Sequence, residues 1–279
     1  MANGDTAPPT ATHTTAIFGA GVMGETLLSG LLRAGRSPQG LVIAERRADH
    51  AAMLRDRYGV RVVSNIEAAE LADTAVLVVK PQDMAGLLDE IHDHIAPGNL
   101  VVSLAAGITT DFLQARLPQG SSVVRVMPNT PALVDQGMAA ISPGQHCTES
   151  HLAEAEALLT SCGKVVRVPE HYQDAVTAIS GSGPAYIFYV VEAMIEAGVV
   201  LGLPRATSTE LVVQTLYGAA TMLKETGQHP SILREQVSSP GGTTVAALRQ
   251  LDDHKVRAAF VNAIEAAAAR SSELASGHV

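Results

Sequence analysis

Two clusters of small residues carry the chemistry open to this chain. The first, Gly19-Ala20-Gly21-Val22-Met23-Gly24, follows the apolar run 14–18 and opens a helical pattern with apolar residues at 22, 23, 27, 28, 31 and 32. In that strand–turn–helix order, G-x-G-x-x-G suits a dinucleotide pyrophosphate. Gly19 permits the tight turn, Gly21 lets the backbone approach the anion, and Gly24 lets the helix pack on the strand. The second cluster, Ser239-Pro240-Gly241-Gly242-Thr243-Thr244, precedes a helical pattern over 245–251. It offers backbone N–H groups at a helix N-terminus together with the hydroxyls of Ser239, Thr243 and Thr244, an arrangement that takes an anion. Ser180-Gly181-Ser182-Gly183-Pro184 is expected to form a similar turn. For each of these last two turns, a plainly capped helix start is the competing reading.

Side chains between the clusters refine the chemistry. Glu45, twenty-one residues past Gly24, stands where a carboxylate binds the ribose hydroxyls of NAD, while Arg46 and Arg47 directly after it suit the 2′-phosphate of NADP. The two signals conflict. Val79, Lys80 and Pro81 end one apolar run, Ala105-Ala106-Gly107 follows another, and Asn129 sits between Pro128 and Pro131 after a third. Ligands of open α/β sheets bind beyond the carboxyl ends of the strands, which puts all three segments at one edge. The prolines hold the Asn129 backbone extended.

The elements that must position these residues follow from the pattern. Apolar runs at 14–18, 41–44, 61–63, 75–79, 99–104, 121–126, 138–141 and 164–168 alternate for the most part with helical patterns. That alternation predicts α/β architecture with a Rossmann-like doubly wound parallel sheet. After Pro169 only helical patterns remain, at 174–179, 185–201, 206–225, 231–237, 243–251 and 255–274. The expected organisation is a disordered tail over 1–13, a dinucleotide-binding domain over 14–169 and an all-helical domain over 170–279.

Composition narrows the function classes. With 279 residues, 47% of them hydrophobic, the chain can bury a large core. A net charge of −9 without a basic run argues against a nucleic-acid partner. The apolar stretch 184–203 carries Glu192 and Glu196, costly inside a bilayer, so a buried helix or subunit interface is expected rather than a membrane span. Cys147 and Cys162 form no framework and fit a reducing cytoplasm. The histidines at 92, 94, 146 and 151 lack metal-ligand spacing, so no metal is expected.

Taken in order, the motifs at 19–24, 79–81, 105–107, 127–131, 180–186 and 239–244 resemble those of the pyrroline-5-carboxylate reductases, and the likeness runs over residues 14 to 275. The resemblance implies hydride transfer from NADPH, with NADH as the alternative, to the C=N bond of 1-pyrroline-5-carboxylate, giving L-proline in the last step of its biosynthesis. It also implies an obligate homodimer with interlocking C-terminal helices, and a decameric ring of dimers beyond it. Carried over by position, it gives the pyrophosphate to residues 19–24 and the adenine ribose side to Glu45, Arg46 and Asn65. The nicotinamide side falls to Val79, Lys80 and Ala106, and substrate contacts to Glu170, Thr243 and Thr244. Glu45 departs from family members with a small polar residue there, and Gln236 stands where some have Asn. The substrate carboxylate would meet the N–H groups of the 239–244 turn. Thr244, the expected catalytic residue, would hydrogen-bond the ring nitrogen. Two rivals differ by feature: a reductase of the β-hydroxy acid type would need a lysine in a glycine-rich site of the helical half, where only Lys224 and Lys255 occur, and a nucleotide sensor would not need the 239–244 turn.

Overall fold

The computed structural model describes residues 13–277. The expected tail therefore lies outside the described residues except for His13, whose Nε2 is 3.0 Å from Thr74 Oγ1 and 2.7 Å from a Glu154 carboxylate oxygen. The chain runs β1 (Thr15–Phe18), α1 (Val22–Arg33), β2 (Leu41–Ala44), α2 (Ala48–Tyr58), β3 (Arg61–Val63), α3 (Asn65–Leu71), β4 (Thr74–Leu77) and α4 (Pro81–Ile91). It continues through β5 (Leu100–Ser103), α5 (Thr110–Gln114), β6 (Ser122–Met127), β7 (Gly137–Pro143), α6 (Glu149–Leu159), β8 (Gly163–Arg167) and α7 (Gln173–Val176). The remaining helices are α8 (Gly183–Val200), α9 (Arg205–Thr226), α10 (Pro230–Gln236), α11 (Thr243–Asp253) and α12 (Val256–Ser276).

β1, β2, β4 and β5 are four-residue runs buried at every position, as parallel strands covered on both faces must be. They form one eight-stranded sheet in the order β3-β2-β1-β4-β5-β6-β7-β8. Thr15 lies opposite both Leu41 and Thr74, so β1 stands between β2 and β4 and the strand order reverses there. That reversal makes the end of β1 the topological switch point, where the 19–24 turn lies. Alternation along β1 sends Ile17 into one core layer with Leu28 and Leu31 of α1, and Ala16 and Phe18 into the other with Met84 and Leu88 of α4.

Two expectations need correction. β7 runs antiparallel to β6, with Val126 opposite Ile141, so the sheet is mostly rather than wholly parallel. The residues between them, 128–136, are too few for a parallel crossover, which takes a dozen or more. The segment 180–184 is not an open glycine turn: Thr177–Gly181 forms a π-helical turn that leads into α8. A Cβ on Gly181 would come within 2.5 Å of Met127 Cε, the movable end of a flexible side chain, so the packing there is close without requiring glycine.

The described chain divides into two compact units, one comprising residues up to Gly181 together with those from Ala268 onward, the other Ser182–Ala267. In the second unit α8 and α9 meet at Gly198 and Ser208. The Ser208 hydroxyl donates to the Ile195 carbonyl at 2.9 Å, and any Cβ at Gly198 would strike that hydroxyl.

Candidate active site

At the carboxyl ends of β1, β2 and β4, Gly19, Ala20, Gly21, Glu45, Arg46, Arg47, Asn65, Val79 and Lys80 line one groove of about 260 Å³. Asp83 and Leu87 of α4 line it too, and nothing in their sequence context distinguished them from an ordinary amphipathic helix. The three glycines have different physical reasons. Gly19 has φ +92°, and a Cβ there would lie 2.9 Å from the Val78 carbonyl oxygen. A Cβ on Gly24 would collide with the Gly19 carbonyl. Gly21 faces open space, with nothing within 4 Å of a Cβ built on it. Packing within the chain does not call for glycine there; a ligand approaching the backbone does. Gly21 is the N-cap of α1, and no side chain caps that helix, so its first N–H groups are left for an anion. The turn fits a pyrophosphate.

Glu45 accepts from the Arg47 backbone N–H at 2.9 Å, its Nε at 3.2 Å and its Nη2 at 3.3 Å. Burial pushes the Glu45 carboxyl up, but the Arg47 hydrogen bonds outweigh it and hold the group below the usual carboxylate range. Lys80 is exposed at the N-cap of α4, with Pro81 in the first turn of that helix.

Other expected residues are placed differently. Val22 projects to solvent in the first turn of α1, while Met23 packs on the core. Ala105 is buried, Ala106 is exposed, and Gly107 has φ +76° with Ala275 Cα 3.7 Å from where its Cβ would be. The Asn129 amide donates to the Ser180 carbonyl at 3.1 Å and accepts from the Met138 N–H at 2.8 Å, which fixes it as a brace. Glu170 takes the Thr110 N–H at 2.8 Å, the Thr110 hydroxyl at 2.5 Å and Arg125 Nη1 at 3.1 Å, so its carboxylate is tied to β6 and α5.

In the second unit, Gly241 has φ +68° and Gly242 is the N-cap of α11. A Cβ on Gly242 would lie 2.5 Å from Ser239 Oγ and 3.0 Å from the Ser239 carbonyl oxygen, so the turn is tight there. No side chain caps α11. The threonines at 209, 215, 221 and 226 each donate to the carbonyl four residues back, whereas the Thr243 and Thr244 hydroxyls have no partner among the described residues. Thr244 is half-buried and Thr243 exposed.

A doubly wound sheet with an uncapped glycine turn at its switch point, followed by helices that carry a second such turn, defines a nicotinamide-dinucleotide oxidoreductase with a helical second unit. The family pattern described as pyrroline-5-carboxylate reductase dimerisation matches residues 170–274, and that of coenzyme F420-dependent NADP oxidoreductases matches residues 14–107. A pyrroline-5-carboxylate reductase of Corynebacterium melassecola is 48% identical over 265 residues, covering 94% of this chain and 98% of the relative. The structure of the Coxiella burnetii enzyme superposes with a TM-score of 0.90 at 36% identity, over 94% of this chain and 98% of that one. The Plasmodium falciparum enzyme, solved with NADP bound, gives a TM-score of 0.84 at 30% identity over the same shares. This chain belongs to the pyrroline-5-carboxylate reductase family, and it is an oxidoreductase that uses NAD(P)H.

Proposed function

We propose that the protein reduces the C=N bond of 1-pyrroline-5-carboxylate to give L-proline, as a cytoplasmic homodimer with NADPH as its preferred cofactor. The observation that carries this reading is the 239–244 turn, in which a left-handed Gly241 and an uncapped α11 leave backbone donors and two threonine hydroxyls unspent. A carboxylate is the anion such a helix start takes. With the substrate carboxylate on those N–H groups, the Thr244 hydroxyl accepts from the protonated ring nitrogen and fixes which face of the ring is presented. A bound reduced nicotinamide supplies hydride to the ring carbon. The iminium is electrophilic already, so the protein's part is positioning and exclusion of water, with no strong general acid required. Ser239, Gly241, Gly242, Thr243 and Thr244 are the substrate contacts assigned to the second unit, while Glu170 in the first braces Thr110 and Arg125. The cofactor contacts lie on residues 19–24, Glu45, Arg46, Arg47, Asn65, 79–81, 105–107 and Asn129. The sheet through residue 169 serves as the cofactor domain, and residues from 170 onward as the dimerisation and substrate domain.

A homodimer is supported by the second unit itself. Helix α8 is strongly apolar, yet none of its residues is buried, and Phe188 and Tyr189 are 66% and 76% exposed. The helical stretch 170–200 contains an 18-residue window with a mean hydropathy of 1.3, long and apolar enough to cross a membrane. Glu192 and Glu196 within it favour a protein partner over lipid.

The test is turnover. Purified protein with NADPH and 1-pyrroline-5-carboxylate should lose reduced-cofactor absorbance and form proline. No substrate-dependent loss with either nicotinamide cofactor overturns the reading, and turnover of 3-hydroxy acids in its place moves the protein to the β-hydroxy acid reductases. Sedimentation distinguishes a dimer from a decameric ring.

A further inference from the structure

The two arginines at the adenosine end of the groove are each already engaged by a carboxylate. Arg47 is held by Glu45, its neighbour in sequence. Arg46 reaches elsewhere: its Nη2 lies 3.6 Å from Oε2 of Glu90 in the last turn of α4. The same Glu90 oxygen accepts from Asn65 Nδ2 at 2.7 Å. Arg46 follows β2, Asn65 opens α3 and Glu90 closes α4, so three elements converge on one oxygen atom. Leu87, one helical turn before Glu90, lines the groove with Arg46 and Asn65.

Arg46 and Asn65 are two of the three side chains assigned to the ribose side of the cofactor. A phosphate monoester on that ribose carries about −1.5 to −2 charges and accepts hydrogen bonds from these same groups. It meets no free cationic pair, because two arginines and two glutamates sum to zero. We propose that Glu90 is a specificity-determining residue, a carboxylate that competes with the 2′-phosphate for Arg46 and Asn65 and so narrows the preference for phosphorylated over unphosphorylated dinucleotide. The proposal rests on the reading that this groove takes the adenosine end of the cofactor. Glu90→Gln is the informative change, because its amide oxygen can keep the Asn65 hydrogen bond while the charge that pairs Arg46 is removed. Both charged side chains are substantially exposed, so the effect is modest and salt-sensitive.

Calorimetric titration of the full-length protein with 2′,5′-ADP and with 5′-AMP reads the 2′-phosphate alone, since the two probes differ only there. Relative to wild type, E90Q should bind 2′,5′-ADP about three- to tenfold more tightly and 5′-AMP within about twofold, with the gain shrinking as salt is raised. The gain should vanish when Arg46→Ala is added. Asp93→Asn, which removes a highly exposed carboxylate just beyond α4, should give no such gain. Unchanged binding by E90Q, an equal gain for both probes, or the same gain in D93N overturns the role of Glu90 and leaves the reductase reading intact. Wild-type protein that binds neither probe nor NADPH overturns the groove assignment and the proposal with it.

Discussion

The first unit buries its own apolar residues and the second does not. In the sheet unit, strands β1, β2, β4 and β5 and the inner faces of α1 and α4 close two core layers. Within Ser182–Ala267 the single buried residue is Ser208, a polar one, although Phe188, Tyr189, Val200, Leu201 and Tyr217 are all exposed there. Unfavourable exposure on that scale teaches that the apolar residues of the second unit are selected for a surface outside the unit, whereas those of the first are selected for its own interior.

The contrast is broken most severely at that surface. Phe188→Glu should dissociate the oligomer in sedimentation and lower kcat/KM by more than about a hundredfold, while 2′,5′-ADP still binds the first unit within about twofold. An F188E protein that stays assembled and active shows that this face is not the interface. Inside the first unit, Gly24→Val should cost about 1–3 kcal/mol in denaturant unfolding, because the added atoms meet the Gly19 carbonyl. Gly21→Ala meets nothing in the chain, so it should leave the unfolding midpoint in place and weaken NADPH by about tenfold or more.

Two substitutions sharpen the division of labour. Thr244→Ala should lower kcat/KM for 1-pyrroline-5-carboxylate by about tenfold to a hundredfold without altering NADPH affinity, and Thr244→Ser should restore most of it. If the alanine variant loses thermal stability at full kcat/KM, the hydroxyl is a helix cap and nothing more. Replacing Arg46 and Arg47 together by Ala should do the converse in the first unit, weakening NADPH by about tenfold and NADH hardly at all.

Most of the sheet was legible because parallel strands are short continuous apolar runs punctuated by Gly, Pro and charge. The direction of β7 was not legible, since periodicity carries no sign and only the brevity of 128–136 hints at it. Gly181 and its neighbours look like a loop in sequence, but the helical backbone that starts at Gln173 continues through them into α8. Both glycine turns were readable as turns that open helices, because the backbone that makes each of them is local. The engagement of Arg46 and Asn65 by Glu90 was not, as those residues come from three different elements. The tethering of Glu170 by Thr110 and Arg125 escaped notice for the same reason.

The smallest expected effect concerns Glu45. Arg47→Ala removes the side-chain hydrogen bonds and the charge but keeps the residue-47 backbone N–H on Glu45, so the Glu45 carboxyl should titrate higher in the variant than in wild type, a shift that carbon NMR of the labelled carboxyl reads directly. In wild type the folded-state value lies below that of the unfolded chain, about 4.3. The stabilisation from this pair is therefore present above that value and lost only as pH falls through the depressed one. A Glu45 that titrates at the same pH in both proteins would remove the Arg47 side chain as the cause.

The sheet unit is interrupted in sequence by the whole of Ser182–Ala267 and is completed by residues from Ala268 onward. The Ser271 hydroxyl donates to Asp174 at 2.7 Å, and Ala275 lies beside Gly107. During synthesis at about 5–20 residues per second, the ribosome must translate the intervening helices for roughly 4–17 s before those closing contacts exist. A nascent chain thus holds a nearly finished nucleotide fold open at one seam for that interval, and a premature stop anywhere in the helical insert leaves the seam unsealed, a ready handle for quality control.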